Sequence, residues 1–225
     1  MAVSEAFLSI AGRMRHPGRR SVEGMLWSIV IPVKGSIGKS RLDAGDARAA
    51  LAVAFARDAI VAAGAAASVD RVVVVTSDAS VCCGLTGVEV VADPGTGLAA
   101  AIRAGVAVLP GDRPGAVMLG DLPALTPAAL DAALELAGRE HRAYVPDAIA
   151  TGTTLLTATR ADALRPRFGP GSARLHRLAG HVELPVDPES GLRTDVDELA
   201  DLHIAIDLGV GAHTQAVLQE AAIAA

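Results

Sequence analysis

Lysine, aromatic side chains and cysteine are all scarce in this chain. Of its 20 basic residues all but Lys34 and Lys39 are arginine. One Trp, one Tyr and three Phe leave no aromatic platforms on which single-stranded nucleic acid could stack. The net charge of −5 comes with no basic stripe, so no nucleic-acid partner is expected. The only cysteines, Cys82 and Cys83, are adjacent and read as buried small hydrophobes in a reducing cytoplasm. No apolar run is long enough to span a bilayer: the candidate "ALAVAFARDAIVAAGAAASV" is interrupted by Arg57 and Asp58. Residues 1–24 place a short apolar patch before their arginines, the reverse of a secretory signal. The expectation is a disordered tail over 1–24, with Met25 as an alternative start, and a cytoplasmic protein with no membrane partner.

What is abundant is Ala, Val and Leu, enough over 225 residues to build one sizeable core from small aliphatic side chains. "LWSIVIPV", "RVVVVTS" and "VEVVAD" read as buried strands of a sheet covered on both faces. "DARAALAVAFARDAIVAAG" has helical spacing between an acidic start and a glycine stop. "TGLAAAIRAGVAVL" is a helix, "GAVMLGD" a strand ending in Asp121, and "TPAALDAALELAGRE" a helix capped by Thr126 with Pro127 in its first turn. This alternation predicts an α/β fold, a single domain over 25–225 built on an open, mostly parallel sheet. Further on, "RAYVP" and "TGTTLLTAT" read as strands joined by a short turn. "RPRFGPGSARLHRLAG" is a loop entering a basic helix, "DVDELADLHIAIDLG" a closing helix, and a tail helix starts at Gly211. The Ala-rich C-terminal helix is compatible with a homodimer.

"IPVKGSIGKSRL" ends the first strand with the triplet that closes a P-loop. A P-loop requires Gly, four residues, then Gly-Lys-Ser/Thr, so that backbone N–H groups encircle a phosphate. The first glycine would fall at Val33, and Gly35 is two residues too close. The P-loop reading fails on spacing. The lysines still carry information, because a chain that uses arginine almost everywhere else places both of them in one strand-end loop. A compact ammonium acts on phosphate as a point charge where a guanidinium fork is bulkier and differently directed. Lys34, Lys39 and Arg41 are therefore the candidate triphosphate grip, at the sheet edge where open α/β folds bind ligands.

A triphosphate there calls for Mg²⁺ held by one or two carboxylates. Asp121 lies directly at the end of a buried strand; the alternative is a turn aspartate bonding its own backbone. Asp195 and Asp197, in "DVD", project to one side of an extended segment, although Asp197 could equally cap the following helix. Ser172 stands where an N-cap would open "SARLHRLAG". Arg174, His176 and Arg177 would add positive potential to an anion site at that helix start. His176 is not expected to be a general base.

Six segments, "IPVKGSIGKSRL", "ADPGTGLAAAI", "GDLPAL", "TGTTLL", "RFGPGSARLH" and "LRTDVDELADL", resemble in order and spacing the CofC/FbiD family, guanylyltransferases of deazaflavin coenzyme F-420 biosynthesis. The resemblance covers roughly residues 27–211. It implies a GT-A-like nucleotidyltransferase (Rossmann-like) fold and transfer of GMP from GTP to phosphoenolpyruvate. The archaeal members are described as using 2-phospho-L-lactate instead. Carried over by motif, acceptor-binding residues would be Thr153, Gly169 and Ser172. Nucleotide contacts would be Lys34, Lys39, Arg41, Gly97 and Leu98, and Mg²⁺ ligands Asp121, Asp195 and Asp197. Ala99 stands where family members often carry Asn, which removes one candidate contact to the nucleotide. Rival readings are the phospholactate enzyme, a sugar-nucleotide or molybdopterin nucleotidyltransferase, and a non-catalytic nucleotide-binding regulator.

Overall fold

The computed structural model describes residues 25–33, 42, 44 and 47–221. The N-terminal tail over 1–24 and the loop residues Lys34, Lys39 and Arg41 lie outside the described residues.

Every residue of the first strand, β1 (Trp27–Pro32), is buried, as its unbroken apolar run requires. It pairs in parallel with β2 (Val69–Thr76) on one side and β4 (Gly115–Met118) on the other, with Val30 opposite both Val73 and Val117. The sheet extends outward through β3 (Val88–Ala92) at one edge. Beyond β4 come β6 (Thr153–Ala158), β5 (Arg142–Pro146) and the two-residue β7 (Val182–Glu183). Among the described residues the order is β3-β2-β1-β4-β6-β5-β7. Only β6 runs against the rest.

Alternation along the strands divides the core in two. Ile29, Ile31, Val72, Val74, Ala116 and Met118 face α1 (Arg48–Ala65) and α4 (Pro127–Ala137). Val30, Val73, Val75, Val117, Tyr144 and Leu156 face the side of α3 (Leu98–Ala107) and α5 (Ser172–Leu178). At Gly105 a side chain would collide with Val30 and Val75, so glycine lets α3 lie flush on the sheet. A third cluster joins Leu42, Leu51, Phe55, Ala124, Val196, Leu202 and Ala205, and packs α6 (Leu199–Leu208) onto α1. The chain closes with α7 (Ala212–Glu220), whose first-turn amides at His213 and Thr214 donate to the carboxylate of Asp58 in α1. Asp58, which breaks the longest apolar run, is thus a buried cap for a distant helix.

Several local expectations are corrected. Helix α1 has no side-chain cap at Ala47 and runs through Gly64 to Ala65, the chain turning extended only at Ala66. β3 is half exposed rather than buried, since an edge strand has one neighbour. A short helix, α2 (Ala79–Cys82), follows Asp78, which caps it through Ser80. Cys82 is only partly buried and Cys83 is exposed. Thr126 caps α4 through the Ala129 amide at 3.2 Å, as its sequence predicts. No helix among the described residues is long and apolar enough to cross a membrane.

Candidate functional site

The strand order fixes where chemistry can gather. The chain leaves β1 toward β2 and returns from β3 to β4 on β1's other side, so the connections after β1 and β4 diverge at neighbouring strand ends. Val33 and Leu42, which bracket Lys34, Lys39 and Arg41 in the sequence, are both buried, and β1 ends at this edge. The connection after β4 carries Asp121, and Gly120 packs against Val33. Because β6 is reversed, its first residue, Thr153, lies at the same edge, opposite the end of β5 at Pro146. Gly97 and Leu98 open α3 after β3, with Gly97 as N-cap at φ 101°. Gly97 is exposed and so is Ala99. All described candidates therefore occupy one edge of one sheet.

The acidic half is assembled by main chain. The Val196 amide donates to the Asp121 carbonyl at 3.0 Å, and the fully buried Val196 side chain anchors the strip between Asp195 and Asp197. At Gly191 the backbone runs so close to Ala124 that any side chain would overlap its carbonyl. Burial first, then the charges of Asp121, Asp147 and Asp197, push the Asp195 carboxyl up to about 7. The crowded carboxyl groups of Asp121 and Asp195 are hard oxygen donors that suit a divalent cation such as Mg²⁺, which takes one or two protein carboxylates and completes its shell with phosphate and water. Among the described residues no three His, Cys, Asp or Glu side chains are gathered tightly enough to form a complete cage. Asp197 is exposed, and the capping role considered for it belongs to Glu198, in a reciprocal capping box with Asp201.

Asp147 is a neighbour that the sequence reading missed. It is buried, accepts the Thr151 and Gly152 amides at 2.9 and 2.6 Å, and so shapes the turn into β6. The buried Arg193, just before Asp195, donates to the Asp147 carbonyl at 2.9 Å and the Val186 carbonyl at 3.1 Å. The signal was present: "VPD" ends β5 as "LGD" ends β4.

On the acceptor half, α5 begins differently from the expectation. Gly171, at φ 70°, is its N-cap, and Ser172 is the buried first helical residue with no side-chain capping bond. The Ala173 amide donates to the Thr151 carbonyl at 3.1 Å, which holds the helix start against the β6 turn. The expected cluster of cations reduces to Arg174. Arg177 faces the other way, donating to Glu183 at 2.8 Å and to the Tyr144 hydroxyl at 3.3 Å. His176 is fully buried, and burial, reinforced by His181 and Arg167, lowers its pKa to about 4. It is neutral, and contributes geometry rather than charge.

Residues 54–180 match the MobA-like NTP transferase domain family. The phosphoenolpyruvate guanylyltransferase of Streptomyces coelicolor is 46% identical over 210 residues, which span 89% of this chain and 99% of that protein. The chain belongs to the phosphoenolpyruvate guanylyltransferase family. The Streptomyces scabiei protein of the same name is 45% identical over 85% of this chain and 95% of its own length. A solved nucleotidyl transferase from Methanothermobacter superposes with a TM-score of 0.54 at 25% identity, over 82% of this chain and 98% of that one. The fold is GT-A-like, as family membership requires.

Proposed function

We propose that this protein transfers GMP from GTP to phosphoenolpyruvate, forming enolpyruvyl-diphospho-5'-guanosine and pyrophosphate, as a step toward coenzyme F-420. The observation that carries the reading is the meeting, at one sheet edge, of the Asp121–Asp195 carboxylates with the Thr153–Ser172 segment, in a chain 46% identical to a protein of that name.

A phosphate oxygen of the acceptor attacks the α-phosphorus of GTP. The bond from that phosphorus to the β-phosphate bridging oxygen breaks, and pyrophosphate leaves with the electron pair. The nucleophile is already anionic near neutrality, so no side chain needs to remove a proton. The demands are alignment of two polyanions and neutralisation of their charge. Asp121 and Asp195, with Asp197 at the rim, would hold Mg²⁺. The chemistry it would supply there is neutralisation of the phosphates' charge. Lys34, Lys39 and Arg41 would grip the triphosphate and the departing pyrophosphate. Support comes from the buried residues that flank their loop: Val33 packs on Gly120, next to Asp121, and Leu42 shares a cluster with Val196. Gly97 and Leu98 would meet the nucleoside, and Thr153, Gly169 and Ser172 the acceptor.

Purified protein with Mg²⁺ and GTP is mixed with phosphoenolpyruvate or with 2-phospho-L-lactate, and pyrophosphate release is measured. Release with phosphoenolpyruvate is the expected result. Release with phospholactate alone reverses the acceptor, and release with neither removes the enzymatic reading.

A further inference from the structure

Thr153 and the Arg167–Phe168 pair that precedes Gly169 all contact a single imidazole. His176 Nδ1 lies 2.9 Å from the Thr153 hydroxyl, and its Nε2 receives the Arg167 amide at 2.8 Å. Phe168 meets its ring edge-on at a centroid distance of 5.2 Å, immediately before Gly169. His181 lies against the ring at 5.6 Å and Tyr144 at 6.1 Å. The imidazole thus joins the start of β6 to the segment that runs into α5.

Its hydrogen-bond directions follow from one fixed donor. A backbone amide only donates, so Nε2 must be the acceptor of the Arg167 N–H. A neutral ring with a lone pair at Nε2 carries its proton on Nδ1. Nδ1–H therefore donates to Thr153 Oγ1, assigning the tautomer from the network around it. The threonine hydroxyl accepts this bond and keeps its own proton to give. Among the described residues no acceptor receives that proton.

We propose that His176 is a positioning residue for the acceptor: it fixes the Thr153 hydroxyl as a donor toward an incoming anionic oxygen and ties it to the Arg167–Ser172 segment. The acceptor class is a small phosphorylated carboxylate, and this inference rests on the reading of phosphoenolpyruvate as acceptor. His176 itself touches neither substrate nor the reacting atoms. Its effect is confined to the acceptor half, because among the described residues none of its hydrogen bonds or ring contacts leads to Gly97 or Leu98.

The test separates the two ring nitrogens. Asn places its amide near Nδ1 and retains the donor to Thr153, whereas Gln reaches the Nε2 position and loses it. His176→Gln is expected to raise the KM for phosphoenolpyruvate about tenfold with the KM for GTP unchanged, the size of one lost orienting hydrogen bond. His176→Asn is expected to recover most of that loss. Equal rises in both KM values, or no rise in either, overturn the inference. Should the Gln variant not fold, ¹⁵N NMR of the wild-type ring decides. A protonated Nδ1 whose resonance moves on adding phosphoenolpyruvate, and not on adding GTP, supports the role, and an Nε2–H tautomer or an unresponsive ring overturns it. Turnover by the wild type distinguishes failure here from failure of the proposed function. A wild type active with phosphoenolpyruvate whose His176→Gln variant has an unchanged acceptor KM refutes the positioning role alone.

Discussion

The Val196 amide and the Asp121 carbonyl are 3.0 Å apart, and this one main-chain bond brings the strip Asp195–Asp197 to the end of β4. The carboxylates at this edge are held close by backbone, against their own repulsion. That is a site arranged for a ligand rather than for stability.

Replacement of a crowded carboxylate should therefore separate activity from folding. Asp195→Asn is expected to lower turnover by at least about 100-fold, as loss of a metal ligand does. Its thermal midpoint should stay equal to that of the wild type or rise, because the neighbouring Asp121 and Asp147 lose a like charge. Calorimetry and pyrophosphate release on the same preparation check both halves. A variant of near-normal rate removes Asp195 from the metal site.

Lys39 separates a point charge on phosphate from a cation of any shape. Lys39→Arg keeps the charge and changes its shape, so the KM for GTP is expected to rise about tenfold if a point charge on phosphate is what the loop supplies. A fully active arginine variant would show that any cation suffices.

Gly191 tests the crossing beneath the acidic strip. An added methyl would meet the Ala124 carbonyl, a backbone group that cannot step aside. Gly191→Ala is expected to cost about 3 kcal/mol of stability, the upper range of overpacking. Turnover should drop as well, because Asp195 follows four residues later. Urea unfolding and steady-state rates measure the two effects, and an unchanged midpoint contradicts the close approach.

Acid should weaken the packing around His176 and His181 as the pH falls below the ordinary histidine range. Burial, with Arg142 next and then Arg165 and His141, lowers His181 to about 4, the value reached by its neighbour His176. Their unfolded value is about 6.5. Between these limits the unfolded chain binds more protons, so stability is full above about 6.5 and falls as the pH drops toward 4. Each ring contributes a slope of up to about 1.4 kcal/mol per pH unit. Urea midpoints at pH 7 and 5 should differ accordingly, and His181→Phe should reduce the difference. Asp195, raised to about 7, binds its proton in the folded chain first and works in the opposite direction. The comparison is therefore made in the Asp195→Asn variant, where equal midpoints would exclude the two rings as the acid-sensitive groups.

The parts legible in the sequence were those decided by local pattern. The unbroken apolar run of β1, the Thr126–Pro127 start of α4 and the strand-end position of Asp121 all follow from neighbouring residues. Asp147 escaped notice because a lone aspartate before a turn is ordinary, and only the reversal of β6 brings it beside Asp195. The neutrality of His176 was equally hidden, since it depends on a ring, an amide and a hydroxyl from separate segments. Ser172 was misplaced by one residue because Gly171 in a left-handed conformation turns the chain into the helix. The roles proposed for Lys34, Lys39 and Arg41 rest on the sequence, since these residues lie outside the described ones.

The single reversed strand also makes the working edge divisible. On the proposed reading the nucleotide side would follow β1 to β3, whereas the hairpin turn at 147–152 and the entry to α5 join the sheet beyond β4. Lengthening or reshaping that short turn would then alter one substrate's berth and leave the other's untouched. A fold with this layout can change what it couples to a nucleotide while keeping the nucleotide itself.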